Sequence, residues 1–141
     1  MYEYRCKIVK IIDGDTVDVD IDLGVGVWLH KERVRLYGID TPESRTRELD
    51  EKKYGLSAKD MIKKFMTVDS FQTLITEKAK SGKYGRILSK FKVNDGNYDI
   101  ILNDWMITNH HAVAYFGQSK GAIAEKHLVN RGHVDQAMEE T

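Results

Sequence analysis

Cysteine, proline and any surplus of charge of one sign are nearly missing from this chain, and each shortage removes a class of protein. Cys6 is the one cysteine among 141 residues, which excludes an internal disulfide framework and a zinc site built on several thiolates. It lies in an apolar-alternating run, so a buried thiol is the expected reading. No His-Glu-x-x-His arrangement is present, which also argues against the usual zinc sites. No apolar stretch approaches the ~20 residues that a membrane-spanning helix needs. Met1-Tyr2-Glu3-Tyr4 leads straight into a strand-like pattern with no secretory leader, so the expectation is a cytoplasmic protein, off the membrane, with no evident protein partner. The 22 Lys and Arg are matched by 22 Asp and Glu, so bulk charge does not announce nucleic acid, and any phosphate binding must come from local arrangement.

What is present suits one folded domain over residues 1–141, since a chain of this length with 41% hydrophobic residues can bury well over half its exposable surface. Tyr2 to Ile12 reads as a first strand, ended by the turn chemistry of Asp13-Gly14. Val17, Val19, Ile21 and Leu23 alternate with Asp18, Asp20 and Asp22, the period of a strand with one face in a core. Gly24-Val25-Gly26 turns into a third strand from Val27 to Gly38, and the charged, aperiodic residues Ser44 to Lys53 read as a surface loop. Ala58, Met61, Ile62 and Phe65 form a helical stripe, giving an inserted helix at about 55–67. Phe71, Leu74 and Ile75 suggest a fourth strand, and Ile87 to Val93 a fifth that Asn94-Asp95-Gly96 ends. Further helices are expected at about 98–108 and 119–131, the latter terminated by Gly132. The resulting class is α+β, a five-stranded OB-like β-barrel over 2–94 with three α-helices.

Two acidic loops stand at expected strand ends: Asp13-Gly14-Asp15-Thr16 and Asp40-Thr41-Pro42-Glu43. Either alone is ordinary turn chemistry. Together they can bring Asp15, Asp40 and a backbone carbonyl to one point, a donor set for calcium or magnesium that leaves positions to water and substrate. Arg35 in the third strand and Arg86 at the start of the fifth can reach the same rim, and a guanidinium fork suits a phosphate. The alternative for each arginine is an ordinary surface position.

Three segments in register carry a resemblance: Ile12 to Val17, Arg35-Leu36 with Gly38 to Glu43, and Lys83-Tyr84-Gly85-Arg86. In order and spacing the chain resembles the staphylococcal nuclease (thermonuclease) family from about residue 7 to 128. The match includes Tyr54-Gly55, Asn103, Ala112 to Tyr115 and Glu125-Lys126-His127-Leu128. The long Asp-rich second strand and the His111 to Gly117 string look most like intracellular, phage-type members. The resemblance implies Asp15, Asp40 and the Thr41 carbonyl as calcium ligands, with Asp13 a neighbouring acid. It implies Glu43 as the residue that orients or deprotonates the attacking water, and Arg35 and Arg86 as the groups that bind the phosphate and its transition state. Lys83 and Tyr84 would approach a terminal phosphate, and Tyr115 would stack on a base or be partly buried in the core. The implied activity is calcium-dependent endonuclease cleavage of DNA, and of RNA, with little sequence preference, giving 3′-phosphate and 5′-hydroxyl ends. Magnesium or another divalent ion is the alternative metal.

Several features depart from that family. Better-known members are basic, whereas this chain is neutral with an aspartate row on its second strand, so nucleic-acid affinity is expected to be modest and salt-sensitive. Gly117 stands where a second tyrosine is common, so base stacking is expected to be weaker or handled by Phe116. His110 and His111 are adjacent and do not share a face, so both are expected to be structural, with Asn109 as the left-handed cap of the second helix. A noncatalytic OB-like module binding nucleic acid or protein, and a purely structural calcium site, are the competing readings. The first loses force because Asp15, Arg35, Asp40, Glu43 and Arg86 all stand.

Overall fold

The structure is a computed structural model that describes residues 2–78 and 85–139. Its strands are β1 (Glu3–Asp13), β2 (Thr16–Gly24), β3 (Val27–Leu36), β4 (Ile39–Asp40), β5 (Phe71–Lys78), β6 (Ile87–Asn94), β7 (Asp99–Ile101) and β8 (Val113–Ala114). Its helices are α1 (Leu49–Phe65), α2 (Leu102–Thr108) and α3 (Lys120–Glu139). None of the helices among the described residues is long and apolar enough to cross a membrane.

Alternation in β2 sets the barrel wall. Val17, Val19 and Ile21 are buried, and Val17 pairs with Ile11 on β1 and Val34 on β3. Register shifts between Ile8 and Lys10 and between Ile11 and Asp13 act as bulges that coil the β1–β2 ribbon. The sheet runs β3-β2-β1-β5-β6-β7, and a parallel pairing of β3 with β6 (Val34 to Ile87, Arg35 to Leu88, Leu36 to Ser89) closes five of these strands into the expected OB-like barrel. Phe91, Ile8, Leu36, Leu74 and Val34 fill it, with Ile62 of α1 and Leu102 and Met106 of α2 closing the ends.

Asn103 is the buried polar joint between α2 and the barrel. Its Oδ1 accepts from the Phe91 N–H at 3.1 Å, while its Nδ2 donates to the carbonyls of Tyr37 at 2.9 Å and Ser89 at 3.2 Å. The β2 aspartates are tied across the ribbon. Asp18 takes a two-pronged bond from Arg33 (2.9 and 3.2 Å), and Asp20 accepts the Lys31 N–H at 2.9 Å.

Several element boundaries correct the sequence reading. Helix α1 starts at Leu49, six residues before the expected 55, because the Glu48 carboxylate caps the N–H groups of Asp50 and Glu51. Half of the expected 44–53 loop, from residue 49 on, is therefore helical. The second helix does not begin at 98: Asp99–Ile101 forms β7, in register with Asn94, Val93 and Lys92. Helix α3 passes through Gly132 to Glu139, beyond the expected 131. Asn109 has φ −97°, and the left-handed position belongs to His110 at φ 67°. The predicted third strand stops at Leu36, and a short β4–β8 pair joins Ile39 to Ala114 and Asp40 to Val113.

Candidate active site

Three chain segments deliver the candidate side chains to one rim of the barrel. Asp15 sits in the β1–β2 turn, Arg35 near the end of β3 opposite Thr16, and Asp40 in β4. The Leu36 N–H donates to the Asp15 carbonyl at 2.8 Å, which ties the turn to the β3 end. Asp40 is held by its ladder partner Val113 and by the adjacent bond from the Tyr115 N–H to the Gly38 carbonyl at 2.8 Å.

The two carboxylates converge on one nitrogen. Arg35 Nη2 lies 3.5 Å from Asp15 Oδ2 and 3.4 Å from Asp40 Oδ1, and its Nη1 donates to the Ile39 carbonyl at 3.2 Å. Asp15 Oδ1 accepts from the Thr16 hydroxyl at 3.0 Å, and Asp15 Oδ2 from the Thr41 N–H at 3.5 Å. Thr41 is buried, with its hydroxyl close to Gly14. The Tyr115 ring is half-buried beneath the guanidinium, 5.6 Å from the Arg35 Cζ to the ring centre. Phe116 is exposed beside it and packs edge-on to Tyr37.

Glu43 reaches this rim from the loop before α1. Its backbone lies so close to Gly55 that a Cβ there would collide with the Glu43 carbonyl. Burial, then Asp13, Asp15, Glu51 and Asp40 in turn, push its carboxyl above the ordinary value. A cation bound beside it would pull the value the other way. Asp15 is also raised, chiefly by burial and further by Asp13 and Asp40, against the opposing pull of Arg35. Asp13, Asp15, Asp40 and Glu43 thus form one electrostatic group, with Arg35 bound to Asp15 and Asp40.

Among the described residues no three His, Cys, Asp or Glu side chains are gathered so as to hold a metal ion unaided. The two side chains that do converge, Asp15 and Asp40, are oxygen donors, which suits a hard cation keeping water and substrate in its remaining positions. The surplus of negative charge is what such a cation would relieve.

Arg86 directly precedes Ile87, the partner of Val34, so it enters the barrel on the strand beside Arg35. Lys83 and Tyr84 lie outside the described residues. His110 and His111 turn to separate neighbours, His133 at 4.0 Å and Trp105 at 5.8 Å between ring centres, in keeping with a structural role. Cys6 is buried and its thiol is pushed up to about 12 by burial, which makes it inert.

His127 is the residue that sequence reasoning passed over. Its Nε2 lies 2.9 Å from Asp40 Oδ2, a contact spanning 87 residues that no local spacing announces.

Residues 33–137 match the family model described as staphylococcal nuclease homologue. That span contains Arg35, Asp40, Thr41, Glu43, Arg86, Tyr115 and His127, while Asp15 precedes it. The chain is 33% identical over 95 residues to the thermonuclease of Staphylococcus intermedius, covering 67% of this chain and 52% of that protein. It is 32% identical over 87 residues to the thermonuclease of Staphylococcus hyicus, covering 62% and 47%. An uncharacterized protein of Methanocaldococcus jannaschii is 30% identical over 129 residues, covering 79% and 59%. The chain spans about half the length of the two thermonucleases it matches.

Proposed function

The chain belongs to the staphylococcal nuclease family, and from that premise we propose that it is a calcium-dependent endonuclease hydrolysing phosphodiester bonds of DNA and RNA to 3′-phosphate and 5′-hydroxyl ends. The observation that carries this reading is the meeting of Asp15 and Asp40, from separate strands, on the single Arg35 nitrogen. Asp15, Asp40 and the Thr41 carbonyl are the residues that would hold calcium. When bound, the ion neutralises charge on a phosphoryl oxygen and polarises the attacking water.

Glu43 orients that water and accepts its proton. Positioning carries that role: without a bound ion, burial and the neighbouring acids hold its carboxyl above the ordinary value, and a cation beside it would lower it again, leaving a well-placed acceptor for the water. The water oxygen attacks phosphorus in line, the bond to the 5′-oxygen breaks, and the leaving oxygen takes a proton from solvent. Arg35, with its carboxylate partners otherwise engaged, turns its fork to the equatorial phosphoryl oxygens, and Arg86 stabilises the developing charge from the neighbouring strand. Lys83 and Tyr84 serve a terminal phosphate, and Tyr115, supported by the exposed Phe116, offers a stacking face for a base.

The test is cleavage of single-stranded DNA, duplex DNA and RNA in calcium, magnesium and chelator, with end-group analysis. Calcium-dependent cutting to 3′-phosphate ends is expected, with Glu43→Ala and Arg86→Ala each slower by about 10²-fold or more while remaining folded. Binding of nucleic acid without cleavage under any divalent ion would replace this reading with that of a noncatalytic OB-like module.

A further inference from the structure

Asp40 has two oxygens with two different partners. Oδ1 faces Arg35 Nη2 at 3.4 Å, and Oδ2 faces His127 Nε2 at 2.9 Å, the shorter contact. A carboxylate oxygen accepts, so the contact is a hydrogen bond when the Nε2 of His127 carries the proton and donates it. The imidazole is well covered, with 15% of its side chain exposed. The terminal torsion of an aspartate is soft and roughly two-fold, so without such a partner either oxygen can swing toward the rim.

His127 arrives from α3, whose hold on the barrel is thin. Ile123 and Val134 are its buried residues. Further ties include the Tyr54 hydroxyl and Lys53 ammonium donating to Asp135 at 2.8 and 3.1 Å, Asn130 Nδ2 donating to the Ala112 carbonyl at 3.2 Å, and the stack of His133 on His110. These contacts set the helix across the rim so that one turn of it meets Asp40.

We propose that His127 is a positioning residue for the cation site: its Nε2–H holds Asp40 Oδ2, so that Oδ1 is the oxygen presented to the ion. This rests on the reading of Asp40 as a calcium ligand. A hydrogen-bond donor behind a ligating carboxylate fixes its orientation before the ion arrives, and loss of such a partner typically weakens metal binding by 10–100-fold. The ion therefore binds a site completed by α3, an element outside the barrel.

The test compares His127→Leu and His127→Gln with the wild type. Both substitutes fill much of the imidazole's space, and only glutamine keeps an N–H within reach of Asp40. Calcium affinity is measured by calorimetry on the whole chain, and thermal melting in chelator reports the fold separately. The expected result is a calcium Kd raised about tenfold or more in H127L and kept within about threefold of wild type in H127Q. Equal affinities in the two variants overturn the positioning role, because a packing role would move both alike. A wild type that binds no calcium instead overturns the calcium reading beneath it. Should H127L fail to fold, nitrogen NMR of the wild-type ring decides: a protonated Nε2 whose resonance moves on calcium addition supports the role, and an unprotonated or unmoved Nε2 overturns it.

Discussion

Replacing Gly55 by alanine separates a helix's local preference from the demands of the site it carries. Gly55 lies inside α1, where glycine costs about 0.5–1 kcal/mol relative to alanine, so an uncrowded helix would gain stability from the change. Here the added Cβ meets backbone: the Glu43 carbonyl, and the Ser44 nitrogen at 2.6 Å. Neither can rotate away, so the loop must retreat by roughly 1 Å to restore ordinary van der Waals separation. Overpacking of this kind costs about 1–3 kcal/mol, which exceeds the helical gain and leaves a net loss of about 0.5–2 kcal/mol. For a chain of this size that lowers Tm by roughly 2–7 °C. The displaced residue is the one assigned to the attacking water, and a 1 Å misplacement of a reacting group can cost about 10²-fold in rate. Gly132→Ala is the control, because its Cβ meets nothing within 4 Å inside α3, and it should raise Tm slightly without touching cleavage. Thermal melts in chelator and single-turnover cleavage at saturating calcium measure the two effects. A G55A variant as stable and as fast as wild type would refute the claim that α1 fixes the Glu43 loop by backbone contact.

Asp15→Asn should stabilise the protein at neutral pH in chelator. The Asp15 carboxyl is raised by burial, so its contribution to stability is complete below the unfolded value of about 4 and is lost as pH rises through the folded value. Melts from pH 4 to pH 7 should therefore show the variant's advantage growing with pH, and calcium should stabilise only the wild type; an advantage that is flat across that range would contradict burial as the cause. Asn103→Ala should cost about 2–4 kcal/mol in urea denaturation, since it removes partners from the Phe91 N–H and two carbonyls in the interior. A loss under about 1 kcal/mol would mean that water or relaxation replaces the joint.

Legibility in the sequence followed locality. The alternation of Val17, Val19 and Ile21 marked β2 because each residue's burial depends on strand period alone. The stripe of Ala58 and Ile62 marked the body of α1, but its first turns, Leu49 to Lys53, show no apolar period. Their helix comes from the Glu48 cap and the acidic first turn. Ile100 and Ile101 read as the start of a helix, and the ladder with β6 claims them instead. Gly132 looked like a terminator, yet Val134 is buried and Asp135 is bound by Tyr54 beyond it, so tertiary contacts carry α3 onward. Asp15, Arg35 and Asp40 were readable as short motifs and do meet. His127 was not, because its place depends on where an entire helix docks.

The balanced total charge conceals two unlike acidic groups. On the β2 ribbon, Asp18 is matched by Arg33, and Asp20 and Asp22 accept from the backbone N–H groups of Lys31 and Gly24, so that row is held by local contacts on the strands. At the rim, burial first and then the neighbouring acids raise the carboxyls of Asp15 and Glu43, and Arg35 is in contact with Asp15 and Asp40. A phosphodiester approaching that rim meets like charge, and in a partly buried site such repulsion is weakly screened. Substrate engagement at the rim should therefore depend on the cation as much as the chemical step does. Under the proposed function, the repulsion that weakens the fold in chelator would favour binding of a divalent ion, because ligation would relieve it. A neutral chain would then need no basic surface to act on nucleic acid: the bound ion would supply the positive charge where the phosphate sits.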